Sequence, residues 1–175
     1  MSEIGRKLIR NIPNFPKAGI QFKDVTPLLG DPKAFDEIID SFVLKLSTNM
    51  GYIAGIEARG FIFAAAVAKM SKRGFIPIRK SGKLPGLVEK ESYALEYGEA
   101  TLEIHKDIYE SNSSVVIIDD VLATGGTAIA AIKLCQKINL KVESIIFLME
   151  IAELGGRSQI MDHFPNLQIS VLLAE

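Results

Sequence analysis

Two adjacent carboxylates, Asp119 and Asp120, close the unbroken apolar run Val115-Val116-Ile117-Ile118, and after Val121-Leu122-Ala123 comes Thr124-Gly125-Gly126-Thr127. A continuous Val/Ile run predicts a strand buried on both faces. Ligands of a parallel sheet collect beyond the carboxyl ends of its strands, where this turn falls. Gly125 and Gly126 let backbone N–H groups approach an anion at a helix N-terminus, where the macrodipole also favours negative charge. Thr124 and Thr127 add hydroxyl donors. A dianionic monophosphate suits that cradle. The two carboxylates would repel it, and they are better explained as acceptors for vicinal ribose hydroxyls or as partners of Mg²⁺. Together the parts specify a ribose 5-phosphate, with the sugar over the acids and the phosphate in the loop. The bland alternative is that the acids close a turn and Thr124 caps a helix. Two acids ending an all-apolar strand weigh against it, because burial beside them is costly without a ligand. The loop has neither the Gly-Lys-Ser/Thr of a Walker A sequence nor a dinucleotide Gly-x-Gly-x-x-Gly.

The elements that must position these residues are legible around them. Residues 52–56, 74–78, 115–118, 144–149 and 169–173 read as buried strands, and 35–46, 61–72 and 126–138 as helices between them. Such alternation predicts an α/β fold, a mostly parallel sheet flanked by helices. Residues 80–106 break the rhythm. Gly82, Pro85, Gly86 and Gly98 punctuate them, and Thr101-Leu102-Glu103-Ile104-His105 alternates apolar and polar. That predicts a half-exposed antiparallel hairpin, inserted as a lid. The start, residues 1–34, is rich in Pro and Gly between residues 11 and 32, leaving no room for a regular element. It nevertheless carries Phe15, Ile20, Phe22, Leu28 and Leu29, and reads as a hood over one end of the sheet.

Bulk properties narrow the function. At 175 residues the chain fits one domain, 1–175, large enough to bury a core without staples. With 20 basic and 21 acidic residues the net charge is -1, so general attraction to nucleic acid or an anionic membrane is not expected. Any bound anion must be held by local geometry. A lone Cys135 rules out an intrachain disulfide and reads as a buried core residue in a reducing compartment, hence a cytoplasmic protein. The longest apolar stretch, residues 61–68, is far short of the ~20 needed to span a bilayer. His105 and His163 lack partners for a metal site and receive no role.

The Asp119–Thr127 stretch resembles the phosphoribosyl-diphosphate signature of the type I phosphoribosyltransferase family. Four further segments resemble its adenine-specific branch: Phe15-Pro16-Lys17-Ala18-Gly19-Ile20-Gln21-Phe22-Lys23-Asp24, Glu57-Ala58-Arg59-Gly60-Phe61, Arg79-Lys80-Ser81-Gly82-Lys83-Leu84-Pro85-Gly86 and Ser92-Tyr93-Ala94-Leu95-Glu96-Tyr97-Gly98. Residues 151–175 add little. The resemblance implies conversion of adenine and 5-phosphoribosyl 1-diphosphate to AMP and diphosphate, by a homodimer using Mg²⁺ carried mainly by the donor, near Asp119 and Asp120. It implies that Asp119 and Asp120 hold the ribose hydroxyls and that Ala123, Thr124, Gly125, Gly126 and Thr127 hold the 5-phosphate. Arg59 and Lys83 would bind diphosphate, with Arg79 and Lys83 free to act across a dimer interface. Phe22 would stack on the base, whose edge the backbone at Ile20 and Lys23 would read. Glu96 would manage a proton at the base, and Tyr97 would close over the reacting centre. Lys23 replaces an Arg common in the family, and Glu57-Ala58 replaces Asp-Ser. The rival readings are the same transfer to hypoxanthine, xanthine or a pyrimidine, a non-catalytic regulator keeping the pocket, and a bare nucleotide-binding module. A regulator would need an added basic segment, and a bare module leaves the lid unexplained.

Overall fold

The computed structural model describes residues 3–47, 51–94 and 98–173. The apolar runs become the parallel strands β3 (Tyr52–Ile56), β4 (Gly74–Lys80), β7 (Ser114–Leu122), β8 (Lys141–Glu150) and β9 (Gln168–Leu173). Each is longer than its apolar run or equal to it, because ladder hydrogen bonds continue past the last residue that must be dry. Asp119 and Asp120 consequently lie inside β7 rather than after it. The helix α3 (Pro32–Val43) precedes β3, and α4 (Arg59–Ser71), α5 (Gly126–Lys137) and α6 (Gly156–His163) lie between these strands.

Side chains on β7 alternate between two cores, as the pleat demands. Val116 and Ile118 join Phe42 of α3 and Phe63 and Val67 of α4 on one face. Val115 and Ile117 join Ile132 and Cys135 of α5 on the other. Cys135 is buried, as its apolar setting predicts.

The 80–106 segment forms the antiparallel pair β5 (Val88–Ala94) and β6 (Glu99–His105). The antiparallel hairpin predicted is there and β5 is half-exposed, but β6 is drier than its alternation predicts. Leu102, Glu103 and Ile104 are all buried, because β6 also pairs with β4 and enters the sheet. Among the described residues the sheet has seven strands in the order β5-β6-β4-β3-β7-β8-β9. Lys137 of α5 pins β5 from one side, its Nζ 2.8 Å from Glu91 Oε2 and donating to Lys90 O at 2.7 Å.

The start of the chain is also more regular than its prolines suggest. It holds α1 (Glu3–Lys7), an antiparallel ribbon of β1 (Arg10–Pro13) and β2 (Gln21–Asp24), and α2 (Thr26–Gly30). Pro27 and Pro32 do not break structure. They occupy the first turns of α2 and α3, where a missing N–H costs nothing. This N-terminal segment gives way to α3 at Asp31, which caps the helix by accepting from Ala34 N at 2.9 Å. Arg10 locks the ribbon by donating to Asp24 Oδ2 from Nε at 3.0 Å and Nη2 at 2.5 Å. No helix among the described residues is long and apolar enough to cross a membrane.

Candidate active site

The chain leaves β3 through α4 toward β4 and leaves β7 through α5 toward β8, so the two crossovers run in opposite directions from neighbouring strands. A crevice opens outside the carboxyl ends of such strands, at the point where the order reverses. Glu57 and Arg59 follow β3 into that crevice, and Asp119 and Asp120 reach it from β7. Gly60 permits the approach: a Cβ there would stand 2.7 Å from Asp119 Oδ1 and 3.0 Å from Ile118 O.

Two adjoining cavities flank the aspartates. The first is lined by Asp119, Leu122, Ala123, Thr124, Gly125 and Thr127, among others. Gly125 takes φ 88°, a left-handed conformation natural to glycine, and no side chain caps α5. The first N–H groups of a helix have no acceptor within it, so those of α5 remain available to an anion in this cavity. Thr124 does not cap the helix, which removes the bland reading of its hydroxyl. The second cavity is lined by Gln21, Phe22, Lys23, Arg59, Asp120, Val121, Ala123 and Ile151. Val121 and Ala123 belong to both.

The charges between the cavities are poised. Burial, and then the carboxylate beside it, raise the Asp119 carboxyl well above the usual range. Burial also raises Asp120, against the pull of Arg59. Arg59 Nε stands 2.5 Å from Asp120 Oδ2 without the angle of a hydrogen bond, so that buried oxygen lacks a hydrogen-bond donor. The same guanidinium donates to Lys23 O at 3.1 Å and lies 4.8 Å over the Phe22 ring. Arg59 therefore leans toward Asp120, Lys23 and Phe22, and it covers the aromatic face expected to stack a base. Phe22 meets Phe15 edge-on at 5.1 Å, while Phe15 and Ile20 remain exposed on the open hood. The Ile20 amide donates to Lys17 O and its carbonyl accepts from Phe15 N, so both backbone groups are already used within the hood loop.

Lys83 and Arg79 line neither cavity. Both gather on Glu57, with Lys83 Nζ 2.5 Å from Oε1 and Arg79 Nε 3.2 Å from Oε2, which also accepts from Lys80 N at 3.0 Å. Burial works to raise this carboxyl. The ammonium of Lys83, the Lys80 amide and the Arg79 guanidinium outweigh it and hold Glu57 at about 2. Buried Glu103 accepts from the amides of Lys83 and Leu84 at 2.8 Å each. Neither glutamate received a role from the sequence, which marked Glu57 only as a departure from the family's Asp, since a charged residue beside a strand end is usually solvated. Gln21, Val121 and Ile151 were missed as well, being unremarkable until the chain closes around the groove. Glu96 and Tyr97 fall outside the described residues. The flanking strand brings Tyr93 Cδ2 and Ala94 O to 3.4 and 3.6 Å from where a Cβ on Gly126 would stand.

Comparison with known proteins places this geometry. A family model described as uracil phosphoribosyltransferase matches residues 86–175. The adenine phosphoribosyltransferase of Wolinella succinogenes is 50% identical over 160 residues, covering 90% of this chain and 88% of that protein. The crystal structure of the adenine phosphoribosyltransferase of Thermoanaerobacter pseudethanolicus superposes with a TM-score of 0.93 at 45% identity, covering 99% of each chain. That of Giardia lamblia, complexed with 9-deazaadenine, superposes with a TM-score of 0.91 at 36% identity, covering 98% of this chain and 96% of that one.

Proposed function

The chain belongs to the phosphoribosyltransferases, and within them to the adenine phosphoribosyltransferases; on that premise we propose that it transfers ribose 5-phosphate from 5-phosphoribosyl 1-diphosphate to N9 of adenine, a purine-salvage reaction releasing AMP and diphosphate. The observation that carries this reading is the order of the two cavities. An anion cradle at α5, a carboxylate pair with an unsatisfied buried oxygen, and a groove with an aromatic wall succeed one another along β7, as phosphate, ribose and base do in a nucleotide.

The match to a uracil family model spans residues 86–175, which contain the phosphate cradle and not the hood. What the two families share over that span is the donor, so the match speaks for the donor and not for the base. The hood speaks for adenine. Lys23 O faces the groove and accepts a hydrogen bond there, which suits the exocyclic amine of adenine. An oxygen at that place on hypoxanthine, xanthine or uracil would leave two acceptors facing each other.

Asp119 and Asp120 accept the ribose hydroxyls, while the amides at Gly125, Gly126 and Thr127, with the Thr124 hydroxyl, hold the 5-phosphate. Arg59 initially covers Phe22 and Asp120. A diphosphate, carrying more charge than one carboxylate, draws the guanidinium away and frees the ring face and the Lys23 carbonyl for the base. Cleavage at C1 places negative charge on the leaving diphosphate, which Arg59, once drawn onto it, and Lys83 stabilise. Among the described residues no three ligand side chains cluster to hold a metal. Asp119 and Asp120 would lie beside Mg²⁺ carried by the donor, and that ion would supply further neutralisation of the leaving group. Glu96 takes the proton duty at the base, and Tyr97 excludes water.

Hood, sheet and hairpin act as one catalytic domain, in a homodimer. Ile62 and Met70 are exposed large apolar residues on α4, and with Ala66 they form a stripe at four-residue spacing that suits a second copy. A buried lone thiol and balanced charge suit a cytoplasmic setting. A spectrophotometric assay with the donor, Mg²⁺ and each purine and pyrimidine base in turn tests the whole. Adenine should be used with the highest kcat/KM. Preference for another base overturns the assignment of the hood, and turnover with none overturns the enzymatic reading.

A further inference from the structure

Outside the lining of the first cavity, the start of α6 meets the loop backbone to backbone. A Cβ on Gly156 would collide with the Ala123 carbonyl oxygen, and would stand 2.9 Å from both Gly125 N and Leu122 Cδ1. The contact is reciprocal, since a Cβ on Gly125 would lie 2.8 Å from Gly156 O. Neighbouring Gly155 has nothing within 4 Å of its own Cβ position, although its φ is 67°. The requirement for a bare Cα at Gly156 is therefore one of space, whereas that at Gly155 concerns backbone conformation alone.

The helix carrying Gly156 is well anchored. Arg157 forks onto Glu150, with Nε donating to Oε1 at 3.1 Å and to Oε2 at 3.2 Å, and Nη2 to Oε2 at 2.6 Å. Arg157 Nη1 reaches Ile169 O on β9 at 3.3 Å. Ile160 is fully buried beneath, and Ile151 N donates to Leu122 O at 2.8 Å, stitching the two segments at their roots. The loop in front has no comparable hold of its own. Its first bond into α5 runs from Ile129 N to Gly125 O, leaving residues 123–125 shaped by what they rest on.

We propose that Gly156 is a positioning residue for the 5-phosphate loop: the anchored start of α6 is a backstop that fixes the path of Ala123–Gly125, and any side chain at position 156 pushes the loop into the phosphate. This rests on the reading of that loop as the 5-phosphate site. A displacement on the order of 1 Å in a site of fixed donors can cost on the order of 100-fold.

The test is isothermal titration of the full chain with two probes, ribose 5-phosphate and magnesium diphosphate. Gly156→Ala should raise the Kd for ribose 5-phosphate on the order of tenfold or more and leave that for diphosphate unchanged, because Arg59 and Lys83 do not rest on α6. Gly155→Asn, a residue that tolerates the left-handed conformation in open space, should leave both unchanged. Arg157→Gln loosens the anchor without adding bulk and should give the same selective loss, smaller in size; it decides the matter if the alanine variant does not fold. Wild-type affinity for ribose 5-phosphate in Gly156→Ala, or equal loss of both probes, overturns the proposal. A wild-type protein that binds diphosphate but not ribose 5-phosphate overturns the reading of the loop itself.

Discussion

At Asp119 the folded chain holds a carboxyl in a place that disfavours its charge, next to a second carboxyl and with no hydroxyl from the protein to share it. Such an arrangement costs stability and, on the proposed ribose assignment, would become favourable once ribose hydroxyls arrive. Asp119→Asn should therefore stabilise the free protein at neutral pH by about 1 kcal/mol, raising Tm by about 2–4 °C, while donor KM rises about tenfold or more through lost charge-assisted hydrogen bonds. The sign with pH follows from the raised pKa. Between the ordinary carboxylate value of 3.8 and the raised one, the folded state binds more protons than the unfolded, so wild-type stability declines as pH rises. The Tm advantage of the asparagine variant should grow with pH through that window. Thermal melts across pH, paired with donor kinetics, check both halves; a variant less stable than wild type at pH 7 refutes the cost assigned to Asp119.

Between elements, Glu57 ties the end of β3 to the end of β4 and to the turn that carries Lys83. Its folded pKa of about 2 lies below the ordinary 4.5, so its contribution is complete above 4.5 and is lost as pH falls toward 2. Glu57→Gln should destabilise the protein by about 1–2 kcal/mol at pH 7, the scale of hydrogen bonds to a charged group. The gap to wild type should close on acidification through that range. Urea midpoints measured from pH 6 to pH 2, with hydrogen exchange at the Lys83 and Leu84 amides, read the effect; a gap independent of pH would refute the assignment. The hairpin β5–β6 makes a similar point about elements. Its sequence alternates like a strand with one wet face, yet its neighbour β4 and the Lys137 contacts from α5 make it part of the sheet.

For the molecule as a whole, a net charge of -1 leaves little long-range field, and specificity for a highly anionic donor rests on a few placed cations and amides. The proposed homodimer would rest on apolar surface instead. Ile62 is 41% and Met70 51% exposed at helical spacing on α4, an apolar stripe on which a second copy could pack. Ile62→Asp should convert a dimer to monomers at micromolar concentration in sedimentation velocity, with secondary structure retained. A dimer unaffected by that change would place the interface elsewhere.

The sequence by itself determined what depends on periodicity and on backbone permissiveness. The apolar runs located the strands, and Thr124-Gly125-Gly126-Thr127 after Asp119-Asp120 located the turn that lines the first cavity, because a buried strand and a tight strand-to-helix turn each need particular residue types at particular spacings. Tertiary structure alone decided which charges meet. Arg59 leans toward Asp120, Lys23 and Phe22; Lys83 and Arg79 converge on Glu57; and Gly156 lies behind Ala123 although 33 positions separate them. Two glycines, Gly155 and Gly156, look alike in the chain and differ wholly in space. A contact between distant segments leaves no periodic trace in either one, since it is set by how the sheet orders its strands and on which face each crossover helix packs.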